Sequence, residues 1–475
     1  DSHGQPVDVS KGDRRSELSY DNFLNLVSWH EDGRMLGEWR HDSRGRLTER
    51  RTPGMRPEHY AYDCLDRLRR IEASDGNVIE LSYDSYDSIT DARDAHRHVR
   101  MGYNSVGSMT WREESGHRVS FRYDGMDRLR EVVNEAGSGY LFGRDLAGNI
   151  SMERDYGGIE RRYRRDGNGR VTLVERPDGR STAYAYDPMG RVLSAAYHDG
   201  SREEYGYDKN GLMTSADNGE ARIRLERDPM GHVVRETTGL PGGDTFTEVM
   251  SVESEYSPYG ERTHVRSSLG ADTELTYDRL GLVSGVTANV ENPDSREQQN
   301  SENTATDTKR WESTIERDGA GREIERFATG GIRISTDYND MGLVRSRHVH
   351  SGDRHTGWRH YRWDVGARLM SMRCSMRGEP VIYDYDSLCN LIRGDYSLHE
   401  SIFRTPDKVG NLYREAECKG RRYDRGGRLL WDGEYHYAYD CEGNLVHKSR
   451  RDINAGTAEK GQPGDTGGKK KADWF

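Results

Sequence analysis

This chain is short of the residues that fill a globular core. Hydrophobic side chains make up 32% of its 475 residues, no more than the charged ones, and mean hydropathy is −1.01. On composition alone it leans towards disorder, because little apolar surface is available to offset chain entropy. No run of about 18 apolar residues is present and no apolar leader opens the chain, so neither a membrane span nor a signal peptide is visible. Cysteine is sparse: Cys64, Cys374, Cys389, Cys418 and Cys441 lack CxxC spacing and do not suggest a disulfide framework or a zinc site. An excess of basic charge is missing too. Net charge is −11, so there is no global pull towards nucleic acid or anionic membranes. No Ser/His/Asp arrangement, Gly-rich phosphate loop or HExxH occurs, so this segment is expected not to be an enzyme and to need no cofactor.

What is present is repetition. The heptad Tyr-Asp-Pro-Met-Gly-Arg-Val at Tyr186–Val192 has relatives from Tyr20–Leu26 to Tyr439–Leu445, twenty copies in all. From Asp21 to Asp228 the acidic or polar second position recurs at intervals of 20 or 21 residues. A fixed period of this length signals a repeat architecture.

Each heptad reads as a tight turn between two strands. Asp, Asn or Ser holds the second position in all twenty copies and can accept a hydrogen bond from a backbone N–H two residues on. Asp187-Pro188-Met189-Gly190 suits a type I turn, with Gly190 at positive φ opening a bulge. The fifth position is Gly in most copies and Asp at Asp66, Asp87 and Asp127, while Leu24 and Cys389 depart from the rule. The turn motif is carried by Tyr62 and Asp63, Tyr123 and Asp124, Asp166 and Gly169, and Tyr186, Asp187, Gly190 and Arg191. It continues at Tyr207, Asp208 and Gly211, at Tyr277, Asp278 and Gly281, at Tyr423, Asp424 and Gly427, and at Tyr439, Asp440 and Gly443.

Between heptads lies a second turn signal, as at Asp75-Gly76, Asp199-Gly200 and Asn218-Gly219. One unit is therefore strand, turn, strand, turn. About forty strands at about 4.8 Å make a strip of roughly 190 Å, which must coil, because open twisted sheets rarely pass ten or so strands without curling. Solenoid, propeller and shell all remain open at this point.

The expected organisation is a flexible lead-in over 1–17 and a repeat array over 18–450 with a polar insertion at about 289–310. Residues 451–475 read as a linker and the start of a further strand whose continuation is missing, so the chain reads as a piece of something longer. The wide interval from Asp228 to Ser257 is assigned to a lengthened turn at Gly239–Gly243.

Tyr-Asp-x-x-Gly-Arg-Leu at this spacing resembles the YD-repeat, or Rhs, family. Matches include YDPMGRV (Tyr186–Val192), YDRGGRL (Tyr423–Leu429), RDGNGRV (Arg165–Val171), HDSRGRL (His41–Leu47) and YDGMDRL (Tyr123–Leu129). The family includes bacterial Rhs toxins, many delivered by type VI secretion, the cocoon components of insecticidal Tc toxins, and teneurins. The resemblance implies an all-β fold: a long antiparallel meander coiling into a spiral β-shell, here a partial one. It implies an encapsulating segment of a bacterial secreted toxin, made in the cytoplasm and delivered to target cells, that encloses a toxic C-terminal domain. The implied partners are that domain or other cargo, the remaining shell segments, a secretion spike or adaptor, and an immunity protein. Adhesion or glycan binding, as in teneurin-like or wall-associated relatives, is the alternative. The Asp-Pro-x-Gly-Leu self-cleavage motif of bacterial members is absent, for Asp187-Pro188 and Asp228-Pro229 sit inside ordinary heptads.

Three local features invite a chemical reading. His348 and His350, with His355 and His360 nearby, could face a metal, but no ligand set is completed, and surface histidines are the plainer reading. The repeated Asp could hold calcium, but Gly-Gly-x-Gly-x-Asp spacing is absent and turn capping fits better. Trp358, Tyr361 and Trp363 could form a sugar-binding patch, with cross-strand packing favoured.

Overall fold

The computed structural model of the chain describes residues 1–452 apart from 13, 243–244, 292–307, 397–400, 408–409, 425 and 441–442. The protein is all-β. Every strand pairs antiparallel with the next in sequence, from Asp8–Lys11 and Arg14–Tyr20 through to Leu391–Asp395 and Ser401–Phe403, giving one 36-stranded meander. A three-residue 3-10 turn at Pro177–Gly179 is the one helical element among the described residues, and no helix is long and apolar enough to cross a membrane.

The ladder follows the repeat. In the pair Ser181–Tyr186 and Val192–Tyr197, Thr182 faces Tyr197, Tyr184 faces Ala195, and the register shifts between Ala185 and Tyr186. The same shift falls at Tyr62, Tyr123, Tyr207, Tyr277 and Tyr439, one extra residue per heptad turn. A bulge at each turn increases local twist, so every hairpin turns the ribbon the same way.

No core forms between layers. Among the described residues only Val174, Ala195 and Val381 are buried hydrophobics, and most buried polar residues are small, such as Thr182, Ser194 and Ser313. These are side chains too short to rise above flanking Tyr and Arg. Accessible surface is 31250 Å², against roughly 18,000 Å² for a compact monomer of this mass.

The ribbon winds instead. Arg14 meets Glu261, 247 positions on, and Arg34 Nε donates to the Gly319 carbonyl, 285 positions on. One winding at two strands per repeat is thus about 25 strands, which at about 4.8 Å each gives a circumference of about 120 Å and a diameter of about 38 Å. Strand tilt widens this figure. The result is a single-layer spiral β-shell.

Several boundaries differ from the sequence-based expectation. Residues 1–17 are not a featureless lead-in: Asp8–Lys11 pairs with Arg14–Tyr20, because a two-strand edge needs only a short turn and backbone groups to add to the sheet. The extra length between Asp228 and Ser257 goes into the strands Val233–Gly242 and Thr245–Tyr256 with a bulge at Thr238/Gly239, not into a long turn at Gly239–Gly243. Val283–Glu291 pairs directly with Thr308–Arg317, and the rest of the 289–310 insertion lies outside the described residues. Past Phe403 the sheet breaks into a two-stranded and a four-stranded piece. Heptad intervals there shrink to 17 and 16 residues, leaving strands such as Arg422–Tyr423 too few ladder bonds to continue. Of 451–475, only Arg451 and Asp452 are described.

Candidate functional site: the heptad turn and the seam between windings

The recurring constellation is the turn itself. Asp187 Oδ1 accepts from the N–H of Met189 and of Arg191, each at 2.9 Å, and Oδ2 takes Arg191 Nε at 2.5 Å. Gly190 N donates to the Asp187 carbonyl at 3.0 Å, with Gly190 at φ +87. The same carboxylate-to-N–H pattern is built by Asp63, Asp124, Asp166, Asp208, Asp278 and Asp424. Asp440 accepts from Asn444 N. Non-glycine residues hold positive φ at Asp66, Asp87 and Asp127, and also at Leu24 and Cys389. Ala367, at φ +62, is a third departure, preceded by Gly366 at φ +85.

Sequence reasoning missed the use of the first position. Tyr186 Oη donates to the Val171 carbonyl at 2.7 Å, which is the seventh residue of the preceding heptad. Tyr62 reaches Leu47 O, Tyr123 reaches Met109 O, Tyr207 reaches Val192 O, Tyr277 reaches Arg262 O and Tyr439 reaches Leu429 O. Arg165 and Arg317 make the same link through a guanidinium, and Trp363 through Nε1. The position selects a long side chain with a donor at its tip. The recurrence of Tyr, Arg and Trp at one place was the available signal.

The sixth-position arginine points the other way. Arg170 and Arg191 lie 4.9 and 4.8 Å from the ring centres of the next heptads' Tyr186 and Tyr207 and donate to the Asp187 and Asp208 carbonyls. Cation–π contacts of this kind contribute about 0.5–1 kcal/mol at exposed sites. Each repeat is thus tied backwards by its tyrosine and forwards by its arginine.

The guanidinium hydrogen bonds from Arg46 and Arg128 hold the carboxyls of Asp42 and Asp124 down at about 2. A folded-state pKa below the unfolded value, about 3.9, stabilises fully above that value and is lost as pH falls through about 2. The urea midpoint therefore falls between pH 5 and pH 2.5, and an unchanged midpoint across that window would contradict the turn electrostatics.

The second constellation is the seam. Linking turns of the first winding meet heptad turns of the second in the same order along the chain. Arg14 stacks 4.3 Å from the Tyr259 ring centre and pairs with Glu261; Arg56 N donates to the Asp340 carbonyl at 2.9 Å. His96 lies 3.4 Å from Asp364, and Ser115 Oγ donates to the Ser387 carbonyl at 2.9 Å. A Cβ on Gly157 would stand 3.1 Å from Gly426 Cα, so two backbones touch there, and Arg180 reaches Asp440 at 3.4 Å. Arg14→Ala should raise hydrogen exchange in 256–262 and leave 186–192 unchanged. An equal change in both segments, or none, would argue against the seam.

Among the described residues the histidines of the 348–360 stretch cluster on one another. His348 Nδ1 and His355 Nε2 are 3.3 Å apart and His350 stacks on His355 at 4.8 Å, with burial and three neighbouring imidazoles lowering the His348 pKa. Among the described residues no three His, Cys, Asp or Glu side chains converge to hold a metal ion. The Oδ1 atoms of the repeated Asp accept backbone N–H groups of their own turns, as at Asp63, Asp166 and Asp208. Trp363 is a heptad first position, and Trp358 lies 4.6 Å from His360. Cys64, Cys374, Cys389 and Cys418 are free, and Cys441 lies outside the described residues.

Comparison with known proteins fits this geometry. The family model for the teneurin YD-shell matches residues 115–455. Double-stranded DNA deaminase toxin A of Burkholderia cenocepacia (strain H111) is 24% identical over 457 residues, spanning 92% of this chain and 30% of that protein. Among solved structures, TcdB2-TccC3-Cdc42 superposes with a TM-score of 0.67 at 13% identity, over 93% of this chain and 29% of that one. The Photorhabdus luminescens Tc holotoxin pore gives 0.66 at 13% identity, over 91% and 28%. At these identities the structural likeness speaks for the fold. The chain spans under a third of the length of these relatives.

Proposed function

The chain belongs to the teneurin YD-shell family, and from that premise we propose that it is a length of encapsulating wall from a bacterial secreted toxin, enclosing a toxic C-terminal domain until delivery. The observation that carries this reading is a single-layer sheet, nearly without buried apolar residues, whose successive windings meet edge to edge at Arg14–Glu261 and Arg56–Asp340. Among the described residues the windings meet and no second layer packs on either face, which is the form of a wall around a space. The toxin relative from Burkholderia supports the same reading.

Its mechanism is confinement, and the reading gives this segment a structural role. With side chains filling about 5 Å on each face, the winding leaves a bore of about 28 Å before strand tilt is added. A folded domain of about 100 residues has a radius of gyration of about 13 Å, so cargo of that order is comparable in size with the bore. Further partners are the remaining shell segments, a secretion spike or adaptor, and an immunity protein, with synthesis in the cytoplasm followed by delivery.

Electron microscopy and limited proteolysis of the full-length protein test this reading. The toxic domain should lie inside a hollow particle and resist cleavage until the wall is opened. A filled rod, or a domain cut as fast in the intact protein as when free, overturns it.

A further inference from the structure

Four imidazoles meet on one face of one hairpin. The strand Val344–Ser351 brings His348 and His350, and its partner Arg354–Trp363 brings His355 and His360. The register sets His350 opposite His355, His348 opposite Trp358 and Ser346 opposite His360. His348 sits at the centre, its ring 5.3 Å from that of His355 and 5.4 Å from that of His360, and His355 in turn stacks on His350. Nδ1 of His350 is buried without a hydrogen-bond partner. Elsewhere in the sheet His96, His98, His232 and His264 each lie beside a carboxylate that favours their charged form. Among the described residues no carboxylate stands within ion-pair distance of any of these four imidazoles.

The flanking strands leave little negative charge free on this face. From Ile332–Tyr338, Arg333 lies opposite His350 and Asp337 opposite Ser346; from Leu369–Cys374, Arg373 lies opposite His360. Arg362 shares the face, Glu325 lies one strand further out opposite Ser335, and Asp353 lines the same cleft as His350. Asp337 is already engaged by Arg345 at 2.8 Å, and Glu325 is 3.9 Å from Arg333. We propose that the hairpin Val344–Trp363 is an acid-sensitive element of the wall, closed by neutral histidines and loosened when they take up protons. In the neutral state one of His348 Nδ1 and His355 Nε2, 3.3 Å apart, can donate to the other. Once both rings are protonated both atoms are donors, and the contact becomes a repulsion. Burial, and then the neighbouring imidazoles, hold His348 below its ordinary value of 6.5. The unfolded hairpin therefore takes up protons first. Its stability is complete above about pH 6.5 and declines as pH falls from there through the folded value. This holds whether or not the wall encloses cargo.

Hydrogen exchange of the full-length protein tests it, at about pH 7.5 and about pH 5.5 in buffer containing a chelator, with the intrinsic pH dependence of exchange corrected for. Protection across 344–363 should fall several-fold at the lower pH, while that across 181–197, a hairpin without histidine, stays level. Equal protection of 344–363 at both pH values overturns the proposal, as does an equal fall in both hairpins. In a variant carrying His355→Gln and His360→Gln the fall should shrink, because His348 then lacks two of its chargeable neighbours. A fall as large as in the unsubstituted protein also overturns it. The unsubstituted comparison needs no variant, and decides the matter if the double variant does not fold.

Discussion

Asp187→Ala destabilises the hairpin spanning Ser181–Tyr197 far more than Asp187→Asn does. The carboxylate is 7% exposed and serves three donors: the N–H groups of Met189 and Arg191 through Oδ1 and the Arg191 guanidinium through Oδ2. Alanine leaves both backbone donors without their acceptor and frees a guanidinium that also stacks on Tyr207. Losing one partner of a buried hydrogen bond exposes the full desolvation cost of the other. Asparagine keeps the Oδ1 acceptor for both backbone donors, as Asn104 and Asn339 do in their own turns, and gives up the Oδ2 bond to Arg191 and the charge. Neighbouring repeats hold each unit in place, so the effect is read most sharply as local hydrogen exchange across 186–208. Equal exchange in the alanine and asparagine variants would refute the account of the turn.

Gly190→Val costs about 1–2 kcal/mol, because a β-branched residue must then adopt the left-handed region. The penalty is conformational and not one of space. A Cβ at Gly190 would meet Arg170 Cδ at 3.9 Å and Nη1 at 4.0 Å, ordinary contact distances. Gly190→Asn should therefore cost much less than valine, since Asp66, Asp87 and Asp127 hold φ of 65, 63 and 58 at the same place. Urea unfolding of the three proteins decides it. Valine and asparagine variants of equal stability would mean that the backbone angle is not what selects glycine. That Leu24, Ala367 and Cys389 adopt φ of 66, 62 and 62 shows that the array absorbs such strain at isolated turns.

The turn was legible because its chemistry is confined to five residues. A carboxylate at Asp187 and a glycine at Gly190 specify the reversal wherever the motif stands. The inter-repeat ties were less legible. Tyr186 donates to a carbonyl 15 positions back, across a bulge whose offset the sequence alone does not give. The end of the strand Val233–Gly242 reads as a lengthened turn at Gly239–Gly243 in the sequence, because Gly239 and Pro241 look like breakers. Antiparallel pairing at a bulge accommodates both.

By itself the sequence determined a meander of short hairpins with too little apolar material to pack a solid centre. Those are properties of local turn chemistry and of composition, and each repeat carries them whole. Only the tertiary structure decided where one winding meets the next. The rotation per hairpin is small and accumulates over a dozen repeats, so no single heptad encodes that Arg14 lands on Glu261 or that Arg56 lands on Asp340. Met189 and Met341 occupy the same place in near-identical turns, yet one faces water and the other is shielded by the winding beside it.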